Sequence, residues 1–440
     1  MIVDITPATS AQIKNPDFAA YVRMYDEIYE DFMQQVAATG IEIDPVDRSE
    51  EAAEKRRALR KKGVQIRNTD RSLYVNAISP ACVACRKGIG TATFFISLKC
   101  HRDCYYCFNP NQEDYEYYCA TTRNLPAELD EIHTDGMEVR HLALTGGEPL
   151  LHRDEAVAFF ARARELFPGV DQRLYTCGDH VDEAILAALR DAGLDEIRFS
   201  IRVHDVEHAR QKTLERIALA KQFIPRVMVE MPVPPGSGEI MRDLLLALDE
   251  IGIFSINLLE LCYPFRNAEA FNSRGFKVKN RPFRTLYNYW YAGGVPIEGS
   301  ELECLDLLDF TVERGLSIGV HYCSLENKFT GQNYQQNAGQ RVPSMYVLSE
   351  NDYLLKSAKV FGRDVPPVLT ALRRRGYTDY TFDEDTQCLT FSVDAIKYLK
   401  GLDVEIGIAT STIEQREDGP VLRELKIDLT TPQTFKRYDI

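Results

Sequence analysis

From about residue 90 to residue 324 the chain alternates between two hydrophobic patterns. Short apolar, β-branched runs recur as "TATFFISL", "VRHLALTGG", "QRLYTC", "DEIRFSI", "RVMVEMPV", "SINLLEL" and "LSIGVHYC". Between them lie stretches with apolar residues at helical spacing, such as "DEAVAFFARARELF", "VDEAILAALRDAG" and "EIMRDLLLALDEIG". Strands alternating with helices of ten or more residues predict βαβ units and a parallel sheet. Some six units predict an α/β fold, either an open sheet or a partial (β/α)6 barrel. In both, reactive groups belong at the carboxyl ends of the strands.

The flanks read differently. Residues 1–90 predict a helical N-terminal extension: "FAAYVRMYDEIYEDFMQQVAATG" is amphipathic and stops at Gly40. "RSEEAAEKRRALRKKG" places acids first and bases last, as a helix dipole favours. Its cations Arg56, Arg57, Arg60, Lys61 and Lys62 read as a solvated helix face. Residues 325–340, polar and glycine-bearing, read as a linker, and residues 341–440 as a small α+β domain.

Composition narrows the function. The 440 residues carry a formal net charge of -14, which argues against a nucleic-acid footprint. No apolar run approaches the ~18 residues of a membrane span, and the N-terminus lacks a basic-then-apolar export pattern, so a cytoplasmic protein is expected. Eleven cysteines are many for such a protein. Five of them fall between Cys82 and Cys107, which in a reducing compartment points to metal or cluster ligands before disulfides.

"CHRDCYYC" follows directly on the strand "TATFFISL", so Cys100, Cys104 and Cys107 fall on a loop at a strand's carboxyl end. A structural zinc closes with four protein ligands, and a 4Fe–4S cluster normally takes one thiolate per iron. Three thiolates leave one metal position open, as catalytic metal sites do. "LTGGEPLL" ends the next strand. Gly146 and Gly147 allow close backbone approach, Glu148 can accept from an ammonium and Pro149 stiffens the turn.

Together these stretches resemble the radical S-adenosylmethionine (radical SAM) superfamily, over roughly residues 90–324. The resemblance implies a 4Fe–4S cluster on Cys100, Cys104 and Cys107, with S-adenosylmethionine as the missing ligand. It further implies that Tyr106 packs near the adenine, that Gly146, Gly147, Glu148 and Pro149 hold the methionine amino group, and that Ser200 and Arg202 in "IRFSIR" contact ribose and carboxylate. Glu230 and Met231 in "VMVEMPVPPG" are its candidates for the adenine side, although a glycine-rich form of that motif is missing. For Ser200 and Arg202 the plainer reading is a surface strand end. The chemistry implied is reductive cleavage of S-adenosylmethionine and hydrogen-atom abstraction from a small molecule or a peptide. An oxygen-protected, anaerobic setting and a flavodoxin- or ferredoxin-like electron donor are expected with it.

Other cysteines leave alternatives open. Cys82 and Cys85 form a CxxC before the first parallel strand, and Cys262 and Cys323 sit at strand ends. Cys82 and Cys85 with Cys262 or Cys323 are the candidates for a second metal or cluster site. The plainer reading makes Cys262 and Cys323 small buried hydrophobes. Cys177 ends the third strand and could line a pocket, while His101 reads as a loop histidine and Asn109 as a turn residue. Two other functions fit less of the chain: an activase of glycyl-radical enzymes, and a structural zinc or iron–sulfur protein without catalysis.

Overall fold

A computed structural model describes residues 2–287 and 293–440. The chain divides into two compact units. One comprises residues 39–282 and 290–329, the other residues 1–38, 283–289 and 330–440.

The first unit is built on a nine-stranded sheet. In chain order its strands are β1 (Gln65–Arg67), β2 (Ser72–Val75), β3 (Thr91–Phe95), β4 (His141–Thr145), β5 (Asp171–Thr176), β6 (Glu196–Phe199), β7 (Arg226–Val233), β8 (Ser255–Glu260) and β9 (Gly319–Cys323). Their spatial order is β1-β2-β9-β8-β7-β6-β5-β4-β3, open at both edges. The seven strands from β3 to β9 are parallel, which gives the α/β partial barrel expected from the apolar runs.

One difference lies at the edge. β1 and β2, inside the stretch read as wholly helical, add two antiparallel strands beside β9. They have three and four residues, too few to show a period of two.

The crossover helices seal one face of the sheet. Arg153–Leu166 buries Ala156, Phe159, Phe160 and Ala163, the spacing of a single helix face. Gly238–Ile251 does the same with Met241, Leu244, Leu245 and Leu248, and ends where Gly252 turns left-handed at φ 72°. They meet Leu142, Leu144, Leu174, Ile197, Val229, Ile256 and Leu258, all 0% exposed.

The other face is polar. Strand register puts Arg173 and Tyr175 of β5, Glu196 and Arg198 of β6, Glu230 of β7, Asn257 of β8, His321 of β9 and Tyr74 of β2 on it together. The two faces therefore do different work: one supplies the core, the other a polar interior.

The second unit is an antiparallel sheet ordered Tyr380–Asp383, Cys388–Phe391, Leu355–Phe361, Ile406–Arg416 and Gly419–Thr430, with Val347–Leu348 beside Leu355–Phe361. The long helix Pro16–Ala38 belongs to this unit, not to an N-terminal extension of the barrel. Phe18 stacks on Phe361 at 4.8 Å between ring centres, and the Tyr21 and Tyr25 hydroxyls both donate to Glu424. Amphipathicity predicts such a helix but does not name its partner. Residues 325–340 are also more ordered than a linker: Glu326–Phe329 is a 3-10 turn and Thr330–Asn337 an α-helix.

Candidate active site at the strand ends

Cys100, Cys104 and Cys107 sit on the loop leaving β3 at its carboxyl end. Cys100 is exposed, and Cys104 and Cys107 are part-buried. All three are free thiols. Burial pushes Cys100 and Cys107 upward, so they stay protonated until a cation draws the proton off. The backbone N–H of Arg102 donates to the Cys100 sulfur at 3.4 Å, and that of Asn109 to Cys107.

The loop is laced to the next strand end. Gly147 N–H donates to the Ser97 carbonyl at 3.1 Å and Glu148 N–H to the Lys99 carbonyl at 2.9 Å. The Asn109 side-chain amide donates to the Gly146 carbonyl at 2.6 Å. The contact is close enough to demand glycine: a Cβ on Gly147 would come within 2.0 Å of the Lys99 carbonyl oxygen. Gly146 has φ 107°, a region open to glycine almost alone.

Glu148, 2% exposed, is largely engaged. Its carboxylate accepts from Leu150 N–H, from the Thr176 hydroxyl at 2.8 Å and from Cys177 N–H at 2.7 Å. It ties the second strand end to the third and keeps about one acceptor position spare. Pro149 begins the 3-10 turn Pro149–Leu151.

A charge clasp holds the loop from the other side. The Arg102 guanidinium donates twice to Asp179, at 2.5 and 2.6 Å, and once to Asp205 at 2.9 Å. Asp179 also accepts from Arg216 and from His101, both at 2.8 Å. These cationic and hydrogen-bonding neighbours hold Asp179 below the usual carboxylate range against the opposing effect of burial. Sequence reading missed this clasp; the charged "HRD" within the loop and "GDH" after the third strand were its only signal.

The other candidate residues fall in three places. Tyr106 lies inside the loop, its ring edge-on to Tyr105 at 4.9 Å, its hydroxyl bonded to the Cys104 thiol. Arg202 is paired with Asp205, and Ser200 N–H donates to Thr176 beside Glu148. Glu230 lies farther down, on the polar face, where Arg198 and the Asn257 amide each donate to it at 2.6 Å. Met231 points the opposite way and is 1% exposed in the core, so it lines no pocket.

The short helix Pro80–Ala84 packs across the polar face. Ser79, its N-cap, donates to Glu196, and Arg198 donates to Ser79 at 3.0 Å. The Cys82 sulfur accepts from Arg198 at 3.5 Å and from the Asn257 amide at 3.2 Å. Cys85 and Cys323 each sense the charge of Cys82. Cys262 does not; it answers to Lys328 and Glu260 from the short strand Cys262–Tyr263. Among the described residues, no three of Cys82, Cys85, Cys262 and Cys323 bring their sulfurs all within 4.8 Å of one another.

A single ion would draw its ligand atoms closer than these groups stand. Among the described residues, the one set of three His, Cys or acidic ligand atoms that all lie within 4.8 Å is His101, Cys177 and Asp179. Asp179 there already serves two guanidinia, which leaves it little to offer a cation. The loop thiols stand wider apart than one tetrahedral zinc would hold them, at 2.3 Å from the metal. The donor set, three thiols with N–H donors on two sulfurs, fits an iron–sulfur cluster.

Residues 94–248 match the profile of the Radical SAM superfamily. The chain is a radical SAM enzyme. The radical SAM cofactors are a 4Fe–4S cluster and S-adenosylmethionine. A protein of Methanocaldococcus jannaschii, provisionally named a glycyl-radical enzyme activating enzyme, is 26% identical over 293 residues, 64% of this chain and 74% of that one. The PqqA peptide cyclase of Methylorubrum populi is 34% identical over 133 residues, 30% of this chain, which thus spans 32% of that cyclase. The crystal structure of Streptococcus suis SuiB bound to S-adenosylmethionine aligns with 54% of this radical SAM enzyme and 50% of SuiB, at 13% identity and TM-score 0.38. No helix among the described residues is long and apolar enough to cross a membrane.

Proposed function

We propose that Cys100, Cys104 and Cys107 hold the cluster and that S-adenosylmethionine completes it against Gly146–Pro149. One observation carries this reading. Three free thiols on a strand-end loop are bound through the backbone to a glycine turn on the neighbouring strand. When bound, the cofactors supply a 5′-deoxyadenosyl radical able to take a hydrogen atom from an unactivated carbon. The chain's own residues position and shield. Glu148 fixes three strand ends relative to one another, Tyr106 walls the loop, and Arg202 and Ser200 line the next strand end. The sealed helical face and the recessed polar face keep bulk water from the reacting carbon.

The substrate in this reading is a peptide or a protein segment. The likeness to the M. jannaschii protein and to the PqqA cyclase supports it, and activation of a glycyl-radical enzyme is its narrower form. A flavodoxin- or ferredoxin-like donor would supply the electron, in a reducing, oxygen-poor cytoplasm. Cys82 and Cys85 with Cys262 or Cys323 remain the candidates for a second cluster.

Anaerobic reconstitution tests the reading. About four irons per chain and 5′-deoxyadenosine formed from S-adenosylmethionine with dithionite are expected. Colourless protein holding zinc and forming no 5′-deoxyadenosine would replace it with a structural role. About eight irons, falling to four in a Cys82→Ala/Cys85→Ala variant, would establish the second cluster.

A further inference from the structure

The polar face of the nine-stranded sheet carries more positive charge than it pairs. Arg198 is fully matched: Glu196 and Glu230 each accept from it at 2.6 Å. Arg173, across on β5, is not. Its Nε and Nη1 are buried without a hydrogen-bond partner, and it has no ion pair among the described residues. Its nearest aromatic neighbour, Tyr175, lies 5.9 Å from guanidinium carbon to ring centre. A buried guanidinium with open donors is costly, and native structures rarely leave one so. Arg67 repeats the pattern on β1. Register against Ser72 puts it on the same face, and it has no ion pair among the described residues. Burial and the nearby charge of Arg86 push its pKa down.

Part of this face also keeps access to solvent. Leu142, Leu144, Leu174, Ile197, Val229, Ile256 and Leu258 on the helical side are 0% exposed, whereas Arg173, Tyr175 and Glu230 keep partial access beside the buried Glu196, Arg198, Asn257 and His321. Partial access set among buried neighbours describes a recess rather than an open surface. It lies on the face whose strands lead up to Cys177 and Ser200 beside the cofactor loop.

We propose that this recess binds an oxyanion of the substrate, a carboxylate or a phosphate, on Arg173, with Arg67 adding positive potential on the same face. On a peptide the group would be an acidic side chain or the terminal carboxylate. An oxyanion accepts two parallel N–H bonds from one guanidinium, which fixes direction as well as charge. It would satisfy one of the open donors of Arg173, pairing it with Nη2, and hold a substrate carbon above it, toward the cofactor end. The inference rests on the radical SAM reading for its meaning, but its test does not.

The test is binding of inorganic phosphate and of acetate to the reconstituted enzyme, followed by calorimetry and thermal shift. The wild type is compared with Arg173→Gln and Arg173→Lys. Affinity for one of the two anions should fall about tenfold or more in Arg173→Gln and recover partly in Arg173→Lys. The anion that responds distinguishes phosphate from carboxylate. Iron content equal to wild type certifies that the variants are folded. No binding of either anion by wild type, or equal binding by wild type and Arg173→Gln, overturns the proposal. Formation of 5′-deoxyadenosine by the wild type in the same preparation reports separately on the catalytic reading.

Discussion

Cys100, Cys104 and Cys107 stand at a strand end, while Cys82 and Cys85 lie against the middle of the same sheet's polar face. The first group is held by backbone bonds and by a clasp that grips the loop between the cysteines, and its sulfurs meet only groups of that same loop. In the second, the Cys82 sulfur is itself an acceptor for Arg198 and Asn257. Similar spacing in sequence therefore serves different purposes. A loop built to present sulfurs meets them mainly with its own neighbouring groups, Arg102 N–H, Asn109 N–H and the Tyr106 hydroxyl. A helix built into an interior engages the sulfur in the polar network that fills it.

The largest effect should separate the two groups directly. Cys104→Ala is expected to lose iron and cut 5′-deoxyadenosine formation by about 100-fold or more, whereas Cys82→Ser/Cys85→Ser keeps about four irons. Equal losses in both would erase the distinction. Next comes the polar face itself. Arg198→Met leaves Glu230 without its counter-charge and Glu196 with Arg226 alone, at a cost of about 3–5 kcal/mol in urea unfolding. A change below about 1 kcal/mol would mean that water already reaches those carboxylates.

The strand-end turn follows. Gly147→Ala forces Lys99 and the loop apart and should cost about 2 kcal/mol, read as a lowered thermal midpoint. The smallest effect concerns pH. The Asp179 pKa is depressed in the folded state, so its contribution is fully present above the unfolded value of about 3.9. It is lost as pH falls through the lower folded value. Protection from hydrogen exchange at residues 100–107, relative to the unfolded chain at the same pH, should therefore be flat from pH 8 to about 5, with Asp179→Asn less protected throughout.

Much of this was legible in the chain. The parallel strands are short apolar runs bounded by turns, so the strand ends, and with them Cys100 and Gly147, could be placed by counting. The rest depended on partners. Arg173 in "QRLYTC" reads as an ordinary polar position on an alternating strand; only the neighbouring strands show that its Nε and Nη1 lack a hydrogen-bond partner among the described residues. Glu230 looked like a strand-end residue, yet the register with Asn257 sets it in the interior. Residues 330–337 are polar and read as loop, although Asn333 and Asn337 are buried in a helix. Helix 16–38 was plain from its spacing, but its apolar face fits the aromatic surface of the C-terminal sheet, which spacing cannot specify.

The clasp on Asp179 bears on how the metal arrives. A flexible loop must gather its thiols at the moment iron binds, and the lost chain freedom then slows and weakens uptake. Here Arg102 is fastened between the first and second cysteines, and Asn109 just beyond the third. The gathering is completed when the barrel folds. Iron should then load in a single fast phase, and a protease should find the empty loop nearly as resistant as the filled one.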